Sequence, residues 1–123
     1  MKIKNLIFAI MFLISSPTFA SGPYDGIWAL FPYGYITITE RENVLIAVVL
    51  ATDDDDGGWG AYQGPRDGNT ARLNTIFGNA QVTFDVNFES DTTMKATIVS
   101  CQPNPDYYCL FPAGTVLNIN KVW

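Results

Sequence analysis

The chain has 123 residues, 48% of them hydrophobic and 14% aromatic, with 7 Lys and Arg against 12 Asp and Glu, no histidine and a formal net charge of −5. That length supports one domain with a modest core. The acidic balance makes nucleic acid a poor partner, since binding it rests on basic patches, and the lack of histidine excludes histidine-based triads and histidine metal sites.

Residues Met1–Ala20 read as a cleavable secretion signal. Lys2 and Lys4 lead an apolar run from Leu6 to Ile14, and Thr18 and Ala20 place small residues where a signal peptidase reads. A membrane anchor would need about 20 apolar residues, and this run ends well short of that in Ser15-Ser16-Pro17. No cysteine stands at the cleavage point, which argues against a lipid anchor. The short, lysine-led signal has a bacterial character, so a periplasmic or secreted destination is expected. Its removal leaves 103 residues, takes away two lysines and no acid, and moves the net charge to −7. Such acidity serves the solubility of an exported chain, and it eases contact with a cationic partner.

The mature segment, 21–123, alternates strand and turn signals. Tyr35–Thr39 puts Ile36 and Ile38 on one face and Tyr35 on the other. Arg41-Glu42-Asn43 is a turn. Val44–Ala51 is rich in valine and isoleucine and reads as a strand, but it is apolar on both faces, so its second face calls for a cover. Val44, Ile46, Val48 and Leu50 are the candidate contacts of an oligomer or partner. Asp53, Asp54, Asp55 and Asp56, followed by Gly57-Gly58, form a further turn. Four aspartates suggest calcium, but the run lacks the alternating spacing and closing glutamate of a calcium loop and suits a solvated acidic turn. Gly64–Asn69 reads as a loop, and Gly78-Asn79 as a compact turn between Thr70–Phe77 and Ala80–Glu89. In the latter strand Val82, Phe84, Val86 and Phe88 share a face. After a turn at Ser90-Asp91, Met94, Ala96 and Ile98 point inward, as do Leu117 and Ile119 in Thr115–Val122.

Cys101 and Cys109 are the only cysteines. An even count and an oxidising destination argue for a disulfide. The enclosed stretch, with Pro103, Pro105 and Asn104, reads as a loop that displays Tyr107 and Tyr108. A redox pair would sit two residues apart at a helix start, which this spacing does not offer.

No helical period and no long linker appear. About eight short strands with short turns specify an all-β fold, a small antiparallel meander barrel that leaves no open edge, with a β-sandwich as the alternative. A membrane-spanning barrel would use nearly all of the mature chain in its strands, so a non-spanning protein is expected.

Asp25-Gly26-Ile27-Trp28, Tyr35-Ile36-Thr37-Ile38, the Val44–Ala51 strand and Gly58-Trp59 together resemble a loose group of small exported gammaproteobacterial β-proteins. The resemblance covers the first part of the mature chain and implies export and a β fold. Strand count and turn spacing are also similar to the avidin and lipocalin barrels and the small periplasmic lysozyme inhibitors, in architecture alone. No site residue carries over.

These readings lead to a non-catalytic binding protein of the cell envelope, for a small molecule or a protein, with an inhibitor-like role among the options. Trp28, Tyr35, Trp59, Tyr62, Tyr107 and Tyr108 are the candidate binding surface, because Trp and Tyr pair an apolar body with a polar tip. The alternatives are a structural or surface subunit assembling through Val44–Ala51 and a carboxylate-dependent hydrolase. No catalytic residue or cofactor is expected, and no metal beyond the calcium considered for Asp53–Asp56.

Overall fold

The computed structural model describes residues 22–51, 58–106 and 108–123. Eight strands follow one another: β1 (Gly26–Leu30), β2 (Gly34–Arg41), β3 (Val44–Ala51), β4 (Trp59–Asp67), β5 (Thr70–Phe77), β6 (Ala80–Phe88), β7 (Thr93–Pro103) and β8 (Val116–Lys121). Each pairs antiparallel with the next, and β8 returns to β1 through Trp28 opposite Lys121 and Ala29 opposite Asn120. The result is a closed meander barrel, the architecture expected from the strand spacing, and closure leaves no strand edge unpaired. Among the described residues no helix is long and apolar enough to cross a membrane.

Period-two alternation sets the inside. Ile36 and Ile38 of β2, Leu45 and Ala47 of β3, Val86 and Phe88 of β6, Met94, Ala96 and Ile98 of β7 and Ile119 of β8 are all buried. The β2–β3 turn needs only Glu42 and Asn43, both with positive φ, 52° and 65°. Two residues of that hand match the twist of the flanking strands. Two register shifts interrupt the ladder: Ile76 is the extra residue on β5, opposite the Ala61–Tyr62 step of β4, and Val99 the extra residue on β7, opposite the Thr83–Phe84 step of β6.

Two stretches depart from the sequence reading. Gly64-Pro65-Arg66 belongs to β4, not to a loop, and the turn begins only after Asp67. The β5 main chain at Arg72 runs so close to Gly64 that a Cβ there would strike the Arg72 carbonyl. Pro65 lies exposed opposite Val44, and the Arg66 amide donates to the Asn43 carbonyl at 2.7 Å. Strand β7 likewise continues through Gln102 and Pro103, into the stretch expected to be loop.

One end of the barrel is plugged. Trp28 is wholly buried, its indole N–H donates to the Tyr24 carbonyl at 3.0 Å, and its ring meets Phe88 at a tilt, centroids 5.7 Å apart. The Arg66 guanidinium forms a paired contact with the Glu40 carboxylate, its Nη2 donating at 3.1 Å, and lies over the Tyr24 ring at 5.6 Å. Lys121, from β8, lies over the Trp28 ring at 5.8 Å.

Candidate ligand cavity

At the opposite end the inward residues are too small to fill the barrel. Gly34 of β2 faces Ala51 of β3, and Gly60 of β4 faces Val49. Across that arc the wall near the rim consists of backbone, the Ala51 methyl group and the Val49 side chain. The large inward side chains, Trp28, Leu45, Leu73 and Phe88, are fully buried. The consequence is a cavity of about 240 Å³, floored by residues such as Ile38, Met94 and Ile119 and walled by Val49, Tyr62, Val82, Phe84 and Leu117. Interiors normally pack without such voids.

The lining is mainly apolar, with Tyr33, Trp59, Tyr62, Asn79 and Tyr108 as its polar or part-polar side chains. No Asp, Glu, Lys or Arg lines the cavity among the described residues. Tyr62 is the one polar side chain that reaches in from mid-strand. Its ring packs edge-on against Phe84, centroids 5.1 Å apart. A Cβ at Gly60 would lie only 2.7 Å from its hydroxyl, so that oxygen sits against the Gly60 backbone. No hydrogen-bond partner holds this hydroxyl among the described residues, and it is not among the fully enclosed atoms. Burial raises the Tyr62 pKa above the usual phenol value, so the hydroxyl keeps its proton throughout the physiological range.

The Cys101–Cys109 disulfide is formed and lies at the rim, where both half-cystines line the cavity. A bridge of this kind is compatible with an oxidising compartment. It ties the β7 end to a segment that contributes Tyr108, Leu110 and Phe111 to the lining. Phe111 meets Tyr33 of the β1–β2 turn edge to face, at 5.1 Å. Tyr108 itself is 81% exposed.

The aromatic residues singled out in the sequence do not form one surface. Trp28 is enclosed in the plug and presents no face to solvent, because its inward phase on β1 places it against Phe88 and Lys121. Tyr62, Trp59 and Tyr108 come together around the cavity. Tyr35 lies on the barrel exterior, and Tyr107 lies outside the described residues. Sequence reasoning missed Tyr33 and Phe111, which sit in loops with no periodicity to reveal their direction. It missed too the meaning of Gly34 and Gly60, since an inward glycine looks like a turn residue until its strand is known.

The outer face of β3 is the second notable feature. Val48 and Leu50 are 38% and 51% exposed, and with Ile27, Tyr35, Thr37, Trp59 and Val122 they line a shallow uncharged depression. Trp59 also stacks on Phe77, centroids 4.3 Å apart. The other two candidate contacts differ: Val44 and Ile46 are half-buried. The far side of the barrel is polar instead. Arg72 makes a two-point ion pair with Asp85, at 2.7 and 2.9 Å, and Thr83 bonds Asn74 at 2.7 Å.

Among the described residues the carboxylates are placed away from the cavity. Asp85 is held by Arg72, Glu89 stands 4.0 Å from Lys95, and Glu40 is taken by Arg66. No group of three or more Cys, Asp or Glu residues could hold a metal ion among the described residues. The four aspartates considered for calcium, Asp53, Asp54, Asp55 and Asp56, lie outside the described residues. No family model matches the chain, and neither a curated protein nor a solved structure matches it.

Proposed function

We propose that this chain is an exported, non-catalytic binding protein of the bacterial cell envelope, and that its ligand site is the barrel interior behind the disulfide-bonded rim. The observation that carries the reading is the unfilled apolar cavity, open at one end and plugged at the other. Pockets lined by apolar and aromatic side chains with few polar groups are the usual form of small-molecule sites. The absence of acids and bases from the described lining favours binding over chemistry, because proton transfer needs such a group within hydrogen-bond reach. Export rests on the signal-like Met1–Ala20 and is consistent with the disulfide.

Native mass spectrometry of the protein purified from the cells that make it tests this directly. A chain beginning at Ser21 and carrying a bound small mass is the expected result. A chain that retains Met1–Ala20, or one that never carries a ligand and gains none from a cell extract, overturns it.

A second reading rests on the uncharged depression on the outer face of β1–β4. A second copy would cover Val48 and Leu50 without bringing the acids of two negatively charged chains together, as a subunit assembling through its apolar strand requires. Light scattering distinguishes it: a dimer that Leu50→Asp converts to monomer supports assembly, and a monomer at all concentrations removes it.

A further inference from the structure

The proposed site also restricts what it can hold, and this inference rests on the binding reading above. We infer that the cavity takes an uncharged, apolar small molecule bearing one hydrogen-bonding group, which the Tyr62 hydroxyl receives.

Three observations converge. The first is size: an engineered cavity of roughly 150 Å³ accommodates benzene, so 240 Å³ suits a single ring system or a short chain. The second is charge. A carboxylate moved into this lining would leave water and meet no opposite charge, because none of the cations, Arg41, Arg66, Arg72, Lys95 or Lys121, lines the cavity, and an ammonium would meet no Asp or Glu among the described residues of the lining. Arg66 and Lys121 belong to the plug, and Arg72 faces outward on Asp85. An unpaired buried charge is among the costliest things a site can contain. The third is the hydroxyl. A tyrosine oxygen has one donor hydrogen and acceptor capacity, and this one, set among mainly apolar groups with Asn79, Tyr33, Trp59 and Tyr108 as the other polar side chains of the lining, has no hydrogen-bond partner among the described residues. A ligand carrying an alcohol, ether or carbonyl satisfies it, while a pure hydrocarbon gains only burial.

Matched probes separate these statements. The mature, disulfide-bonded protein is titrated by calorimetry with 1-octanol, octanoate and octylammonium at neutral pH, and with toluene as a probe lacking a hydrogen-bonding group. The octanol is expected to bind about thirtyfold or more tightly than either ion, as an unpaired buried charge costs at least that much. Tyr62→Phe should weaken octanol about three- to tenfold, the worth of one hydrogen bond, and leave toluene unchanged. Ala80→Leu, which fills the cavity wall from β6, should weaken both neutral probes and so locate them. Octanoate or octylammonium binding as well as octanol overturns the ligand class while leaving cavity binding in place. An octanol affinity indifferent to Tyr62→Phe overturns the role of the hydroxyl. Failure of both octanol and toluene to bind a folded protein removes the binding reading itself.

Discussion

Tyr24 lies flat on Phe88, ring centroids 3.7 Å apart and planes within 4°, and so joins the segment before β1 to the end of β6. This contact seals the plugged end over Trp28 and gives Arg66 an aromatic face to cover. Tyr24→Ala should lower stability by about 1–3 kcal/mol, the stacking contribution plus lost burial. Urea denaturation measures it. The cavity lies at the other end, so affinity for a neutral probe should not change.

The Arg66–Glu40 pair is largely enclosed, with side-chain exposures of 19% and 10%. Removing one partner strands the other in a poorly solvated place. Arg66→Gln is expected to cost about 1–3 kcal/mol. In a double-mutant cycle with Glu40→Gln the double variant should lose less than the two single losses added together. Additive losses would show that the pair contributes by packing alone.

Arg72 hydrogen-bonds Asp85 across β5 and β6 and, with some help from its charge, holds the Asp85 carboxyl below the usual aspartate range. A depressed carboxyl pKa stabilises the fold above the ordinary aspartate pKa, and that contribution disappears as pH falls through the lowered value. Both side chains are about half exposed, so screening keeps the effect on stability small. The sharper observable is the titration itself. In Arg72→Gln, carbon NMR should find the Asp85 midpoint raised toward the ordinary range.

The disulfide closes a loop with a sequence separation of 8. Chain entropy assigns such a loop roughly 2–3 kcal/mol. Thermal unfolding of the Cys101→Ala, Cys109→Ala double variant should show that loss. The rim segment with Tyr108, Leu110 and Phe111 should gain hydrogen exchange, while the plugged end retains its protection.

Gly60→Ala would drive a methyl group against the Tyr62 hydroxyl. The ring must swing away, so the variant should bind a neutral probe more weakly by about tenfold, near 1.4 kcal/mol. Its stability should change by less than about 1 kcal/mol, because the displaced group borders open space rather than packed backbone. Calorimetry with 1-octanol, set beside a melting curve, checks both halves.

Much of the fold was legible because strand chemistry repeats at short range. Val82, Phe84, Val86 and Phe88 announce an inward face by alternation alone, and Ile36, Ile38, Met94, Ala96, Leu117 and Ile119 do the same. Asn43 and Gly78 mark turns through local backbone preference. Pro65 misled for the same reason: a proline between Gly64 and Arg66 looks like loop in a local window. Only the pairing of Gly64 with Leu45 of β3 and its closeness to Arg72 of β5, contacts outside that window, reveal the stretch as strand.

The candidate site was legible only in its parts. Tyr62, Trp59 and Tyr108 stood out as aromatics, yet Trp28 stood out equally and proved to be plug. Residue type cannot tell a filled layer of a barrel from an empty one. That difference depends on what shares each layer of the interior: Trp28 meets Phe88 and Lys121, whereas Gly34 and Gly60 border the cavity.

By itself, then, the amino-acid order determined the all-β class, the phases of the alternating strands, the β2–β3 and β5–β6 turns and the single cysteine pair, since each follows from residue type and short-range pattern. Closure decided the rest. Returning β8 to β1 stacks the inward side chains into layers, and the sum of their volumes in each layer sets where the barrel is plugged and where it stays hollow. No local pattern contains that sum, because the residues of one layer come from strands spread from Gly26 to Lys121.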